Sequence, residues 1–532
     1  MVNHLPIGDE QMRTRDLFTA VVINDLFMEK LTNNGDWHLF CPNDIQKAGL
    51  KPLHEMWGDE FVETYNKAVE LGLGFKVNPK TIWDAIIKAQ VESGRPYVFF
   101  KDNANKRNMQ RNIGVVKQSN LCIEITNVSK PGYTSQCTLG SINLAMHDTL
   151  KSIAKSTRVM VRALNAVIDM NKWSDEWSAL AGLDQRSLAI GVAGLADFFA
   201  KKKISFESEE AKQWNKDIFE TMYKAAVTES MEMAKEQNRT YPAWDGSPYS
   251  QGETYIPGWS PLPAGEPIPM LNSLLLGLMP TASSAILLGV FESFEPVTSN
   301  LFTRRVGQGE FLVINKHLVN ELSEIGLWDN NIKNKIVANG GSVQMINEIP
   351  DDIKYRYKDV WEIPQKVLLD LSAIRNNYVD QSQSLNVYHS DAKYSKISSA
   401  LMYAWKIGLK SGVYYTRTKS KIENKNSLII TFVFSIILTF FIVKNLTTEL
   451  LFYTILVSAS FFLFFLTLKE LFIKKFNNIS QTISHFGFSL LILSILFNNI
   501  LSSEVTTNIK IGEKYNYDKG EIFFQKIEEK KE

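Results

Sequence analysis

Cysteine is scarce: 532 residues carry three, at positions 41, 122 and 137. That is too few for the disulfide framework of a secreted domain and fits a reducing compartment, so each thiol is weighed singly. Charge of one sign is lacking as well. Lysine and arginine total 58 against 57 acidic residues, a formal net charge of +1. No global basic field exists for wrapping nucleic acid, so no nucleic-acid partner is expected and any nucleotide must be recognised locally. The N-terminal stretch Met1 to Phe18 has no apolar core of the kind a signal peptide needs, which places the first part of the chain in the cytoplasm. Internal repeats and low-complexity tracts are absent too.

Long apolar runs are missing up to about Thr418, and abundant beyond it. Trp and Pro then disappear, and Ser427–Val443, Leu450–Leu468 and Ile483–Leu501 are almost free of charge. Each is near the roughly 17–20 residues that cross a bilayer as a helix, so three transmembrane helices are predicted, with buried core helices as the alternative. Lys419, Lys421 and Lys425 precede the first run, and Lys469, Lys474 and Lys475 lie between the second and third. Those flanks should face the cytoplasm and the tail from Ser502 the outside.

The preceding part reads as α/β. A helix is expected over Ser205–Gln237, where Ser208 precedes Glu209 and Glu210 and Phe219, Met222, Ala226, Met231 and Met233 recur at helical spacing. Short β-rich runs at Tyr97–Phe100, Gly114–Val116 and Leu121–Ile125 alternate with helical segments.

The richest chemical cluster is Ser119-Asn120-Leu121-Cys122-Ile123-Glu124. On an extended segment, alternation puts Asn120, Cys122 and Glu124 on one face, so an amide, a thiol and a carboxylate converge. A lone Cys is usually a small buried hydrophobe, but a carboxylate beside it needs a partner or a task. Further on, Met279-Pro280-Thr281-Ala282-Ser283-Ser284-Ala285 reads as a turn opening a helix, whose free N–H groups can bind an anion or merely be capped by a hydroxyl. Adjacent tyrosines such as Tyr414 and Tyr415 normally point to opposite faces of a strand and serve packing.

Taken together, SNLCIEI, QCTLGSINL around Cys137, MPTAS, ESFEP…TSNLFTRRVGQGEF, DQSQSLN at Asp380–Asn386 and WKIGLKSGVYY at Trp405–Tyr415 resemble the class I ribonucleotide reductase large (alpha) subunit of eukaryotic type. DLFMEKL, GDWHLFCPND and IGVAGLAD match as well, and the likeness covers about residues 15–418 in the family's order. It implies part of a ten-stranded α/β barrel, the second half with its finger loop at 111–418, preceded at 1–110 by helical parts of the first half. A junction at 419–426, the membrane part at 427–501 and a tail at 502–532 would follow.

By this resemblance Cys122 is the radical-bearing cysteine that abstracts the ribose 3′-hydrogen, Glu124 the base for the 3′-hydroxyl, and Asn120 the amide that positions the ribose. Ser119 belongs to the substrate-binding loop. Cys137 is one member of the redox pair, Thr281, Ala282, Ser283 and Ser284 hold the substrate diphosphate, and Tyr414 and Tyr415 relay the radical. Cys41 corresponds to a structural position. The implied substrate is a ribonucleoside diphosphate. The implied partners are a metal-containing small subunit that supplies the radical and an external thioredoxin- or glutaredoxin-type reductant; no cofactor or metal is bound by the chain itself. The family's ATP-cone, specificity site, first redox cysteine and Cys-x-x-Cys tail find no match, so the chain is expected to be incomplete alone and to depend on an upstream polypeptide carrying the other half.

The tail, ISHFGFSLLILSILFNN followed by EVTTNIKIGEKYNY, resembles the C-terminal part of the cytochrome c maturation haem lyase, in which His485 would correspond to a haem-ligating histidine. The lyase's other histidines and its tryptophan-rich segment are not found here. The alternative function is therefore an inactive membrane-anchored fusion or a haem-handling cytochrome c biogenesis fragment.

Overall fold

The computed structural model describes residues 17–306, 309–391, 393–419, 425–443, 450–473, 479–501, 509–517, 520–523 and 525. Its contacts divide it into two units, Met1–Lys419 and Ser420–Glu532.

In the first unit the strand Tyr97–Phe100 is buried at every residue, as its unbroken apolar sequence requires. Ala20–Ile23 pairs with it in parallel and Ser411–Val413 antiparallel, so the residues after Val413 emerge beside Tyr97. Gly412 permits that approach, since a Cβ there would come within 2.8 Å of the Phe100 ring.

A second sheet pairs Leu139–Asn143 in parallel with Ala189–Ala193. The crossover between them carries the helix Leu150–Met170, whose N-terminal N–H group at Ser152 is capped by the Thr149 side chain. Parallel bridges from Ile190 to Leu276 and from Leu278 to Gln383 extend this sheet into two further chain segments. Val387–His389 and Thr416–Thr418 form another parallel pair.

The expected long helix spans Glu209–Glu236, with the Ser208 side chain accepting from the Ala211 N–H at its start. It packs on Leu150–Met170, and Arg158 and Arg162 of that helix meet the buried Glu229. One large core runs through both sheets and includes Phe100, Ile190, Val192, Phe219, Leu276, Leu278 and Val413. A smaller one lies around Leu318, Leu322, Ile336 and Ile353.

Two expected strands do not form. Gly114–Val116 gives its main-chain groups to a side chain instead of a strand: Asn105 Nδ2 donates to the Val116 carbonyl and Asn105 Oδ1 accepts from its N–H, both at 2.9 Å. Leu121–Ile125 is a turn, with Ile123 in the left-handed region at φ 67° and its N–H donating to the Asn120 carbonyl at 3.1 Å.

In the second unit the apolar runs form the helices Lys425–Val443, Leu450–Ile473 and Ile479–Leu501, followed by the hairpin Lys514–Tyr517 and Gly520–Phe523. The expectation of membrane spans is overturned: among the described residues no helix is long and apolar enough to cross a membrane. Some apolar side chains meet between the helices, while others, among them Ile455, Phe488, Leu491 and Ile495, are exposed. Phe432 meets Phe462, Phe434 meets Phe465, and Phe461 meets Phe497, around a small core of Val457 and Leu493. Small polar side chains are buried among them: Ser435, Thr439, Ser458, Ser460 and Ser489. The orientation read from the lysines rested on those spans and falls with them.

Candidate active site

Cys122 projects from the turn Ser119–Ile125. Ile123 is completely buried next to Tyr97, Phe99, Val116 and Val128 while its backbone is held in the left-handed region, a strained conformation for a β-branched residue that makes the loop a tight turn. Asn120, Cys122 and Glu124 are therefore brought together by a tight turn, not by alternation along a strand. The loop is tied internally by the Asn120 Oδ1, which accepts from the Ile125 N–H at 3.1 Å, and by Ser119 Oγ, which donates to the Ile125 carbonyl at 2.6 Å.

The segment Asp380–Asn386 supports the turn from below. Ser382 N–H donates to the Glu124 carbonyl at 2.8 Å, and Gln381 Oε1 accepts from the Thr126 N–H at 3.0 Å. Ser384 Oγ donates to the Cys122 carbonyl at 2.6 Å and reaches Glu124 Oε2 at 3.1 Å. Asp380 in turn accepts from the N–H groups of Leu275 and Leu276 at 2.8 and 2.7 Å. The buried Arg375 guanidinium grips Gln383, Asn215 and Ser372. Ser384 is a site residue that sequence reasoning missed; the matching DQSQSLN stretch was the only signal for it.

Electrostatics bind the cluster together. Burial pushes the Glu124 carboxyl above its ordinary value, opposed by hydrogen bonds from Asn120 and Ser384. Burial likewise raises the Cys122 thiol, helped by the Glu124 charge and opposed by the Tyr414 hydroxyl. Cys137 has an exposed side chain, yet its thiol is pushed up to about 11, first by desolvation and then by Glu124 and Cys122. All three groups thus feel one another, and both thiols stay protonated at neutral pH.

Tyr414 Oη donates to Cys122 Sγ at 3.5 Å. The Tyr414 and Tyr415 rings lie 4.5 Å apart between centroids, and each contacts Tyr97, at 4.9 and 5.1 Å. The adjacent tyrosines share one aromatic cluster instead of dividing between two faces. Tyr97 is a third ring that the sequence did not single out, because its partners lie more than 300 positions away.

The 280–284 segment begins directly after Met279, which packs with Ile125 and Ala189 and so ties it to the residue following Glu124. Thr281 is buried at the start of the helix Ala282–Leu288, but its hydroxyl does not cap that helix. It accepts from the Ser293 N–H at 2.8 Å instead. Ala282, Ser283 and Ser284 are exposed on the first turn, and Ser284 Oγ donates back to the Thr281 carbonyl at 3.2 Å. Cys41 is exposed at the start of the helix Pro42–Lys47, not buried. In the second unit His485 is exposed, and among the described residues no group of three His, Cys, Asp or Glu side chains could hold a metal.

Residues 5–415 match the family described as ribonucleotide reductase, barrel domain. The chain belongs to that family. Curated relatives include the ribonucleoside-diphosphate reductase large subunit of Danio rerio, 43% identical over 430 residues, covering 77% of this chain and 53% of that protein. The large chain from Cryptosporidium parvum is 42% identical over 436 residues, covering 78% and 53%. Among solved structures, the class Id ribonucleotide reductase alpha subunit of Actinobacillus ureae superposes with a TM-score of 0.58 at 25% identity, over 76% of this chain and 65% of that one. The chain spans about half the length of the curated relatives it matches. The reductase match lies on the first unit, and its barrel-domain fold holds the cysteine loop just described.

Proposed function

We propose that this chain is the catalytic part of a ribonucleoside-diphosphate reductase large subunit and reduces ribonucleoside diphosphates to deoxyribonucleoside diphosphates by a thiyl radical. The observation that carries the reading is the Tyr414 hydroxyl on the Cys122 sulfur, beside a buried Glu124. A hydrogen atom passes from the Cys122 thiol to an oxidised Tyr414, reached through Tyr415 from a metal-containing small subunit. The Cys122 sulfur then takes the ribose 3′-hydrogen, and Glu124 accepts the 3′-hydroxyl proton so that the 2′-hydroxyl leaves as water.

Cys137 and a second thiol, from the part of the relatives' length that this chain does not span, give two electrons and two protons and become a disulfide. A thioredoxin- or glutaredoxin-type protein restores them. Asn120 and Ser119 hold the ribose side of the substrate, and Thr281, Ala282, Ser283 and Ser284 offer main-chain N–H groups and hydroxyls to the diphosphate. The 1–110, 111–418 and 419–426 divisions, the 502–532 tail and the cytoplasmic placement of the catalytic part belong to the same reading. No observation favours haem handling through His485.

The test combines the chain with a small subunit, a complementing N-terminal half from a relative, a dithiol and a ribonucleoside diphosphate. Deoxynucleotide formation that Cys122→Ser abolishes is expected. No product from the parent mixture, or undiminished product from the variant, refutes the reading.

A further inference from the structure

A cleft of about 630 Å³ opens where the helices Gln365–Asn376 and Tyr394–Lys406 meet the strand Val387–His389, away from the cysteine loop. That volume lies within the roughly 300–1,000 Å³ of small-ligand sites. One side is aromatic and fixed. Trp361 donates its Nε1–H to the Thr298 carbonyl at 3.1 Å and stands edge-on to Tyr388 at 5.3 Å. Tyr403 is held by its hydroxyl on Asp370 at 2.6 Å, with Ala400 and Leu369 beside it in the wall.

The rest of the lining is polar and incompletely satisfied. His389 is 6% exposed, lines the cleft, and its Nε2 has no hydrogen-bond partner among the described residues. Burial, aided by the Lys396 charge, holds its imidazole below the ordinary value, so at neutral pH it is uncharged and can present an N–H. A buried polar atom left unpaired is costly, and a ligand contact would recover that cost. Lys366, also in the wall, is neutralised by Asp370 at 2.7 Å. Lys396 has no ion-pair partner among the described residues. It sits with Ser395 in the first turn of Tyr394–Lys406, a helix whose N-cap residue, Lys393, makes no side-chain cap bond. A free cation, an uncapped helix start and an orphaned imidazole nitrogen define an anion end, and the rings define a flat apolar end.

We propose that this cleft binds a nucleoside monophosphate, with the base against Trp361 and Tyr403 and the phosphate at Ser395, Lys396 and His389. The site is independent of the reductase reading. It is nevertheless connected to the tyrosine pair, because Val387–His389 pairs with Thr416–Thr418 and Val387 N–H donates to the Tyr415 carbonyl at 3.0 Å.

Calorimetric titration of the full chain with adenosine monophosphate, and photolabelling with its 8-azido derivative followed by peptide mapping, test the assignment. Saturable binding is expected, with label in peptides spanning 361–403 that excess nucleotide suppresses. Adenosine alone and inorganic phosphate alone should each bind at least about tenfold more weakly, and Lys396→Glu should lower nucleotide affinity by a similar factor. Lys396 is exposed at a helix start, so circular dichroism should show an unchanged fold in that variant. Absence of saturable binding, phosphate binding as tightly as the nucleotide, or an unaffected Lys396→Glu overturns the proposal. So does label confined to peptides of the 119–137 or 280–284 segments, which assigns the nucleotide to the reductase site.

Discussion

Tyr414 donates its phenolic hydrogen to the sulfur of Cys122 across 3.5 Å, although 292 positions separate them. That bond opposes the burial that raises the thiol. Tyr414→Phe keeps the ring packing and removes only the oxygen, so the Cys122 thiol should titrate still higher. Alkylation of Cys122 followed against pH should show the variant reacting more slowly at neutral pH, and deoxynucleotide formation in the reconstituted mixture should disappear. An unchanged alkylation profile contradicts the contact.

Ser384→Ala removes one hydroxyl that serves both the Cys122 carbonyl and the Glu124 carboxyl. Leaving such groups without a partner costs about 1–3 kcal/mol, read as a lower urea midpoint. Retained stability would mean that the segment Asp380–Asn386 does not hold the cysteine loop.

Glu124 carries a pH signature whose sign follows from its burial. Its folded pKa is raised above the ordinary 4.5. Well below pH 4.5 the carboxyl is protonated in both states and costs little. As pH rises, the unfolded chain ionises first, so stability falls until pH passes the folded pKa and is constant beyond it. Glu124→Gln should therefore gain stability over the parent on going from pH 4.5 to pH 8, measured by thermal denaturation. A gap that does not change with pH argues against a raised carboxyl.

Thr281 and Ser283 should separate structure from binding. The Thr281 hydroxyl accepts from the buried Ser293 N–H, so Thr281→Ala should lower the melting temperature, at a cost of about 1–3 kcal/mol. Ser283 is exposed and makes no such bond among the described residues, so Ser283→Ala should leave the melting temperature alone. In the reconstituted mixture it should raise KM for the diphosphate with kcat little changed. The same melting-temperature loss in both variants would deny the division.

Much of the site was legible because its parts sit in contiguous motifs: Cys122 and Glu124 are two residues apart, and Tyr414 and Tyr415 are adjacent. The support for those motifs was not legible. Ser384 and Tyr97 reach the loop by contacts across the fold, which no local pattern records. Alternation suggested a strand over Leu121–Ile125, but burial of Ile123 outweighed the β preference of a branched residue and produced a turn. Gly114–Val116 lost its strand to a single Asn105 side chain. The runs after Ser427 were long enough in sequence to suggest spans. Composition cannot tell apolar side chains that face lipid from those that face neighbouring helices, and here Phe465 meets Phe434 and Phe461 meets Phe497 across helices.

The left-handed backbone at Ile123 has a thermal consequence. A branched residue does not hold φ 67° by its own preference, so the turn keeps its shape only while the packing around it is intact. Loosening of that small core on heating would let the peptide relax and carry the thiol off the tyrosine before the large core of the sheets melts. Activity should then fade at temperatures where circular dichroism still records a fully folded chain.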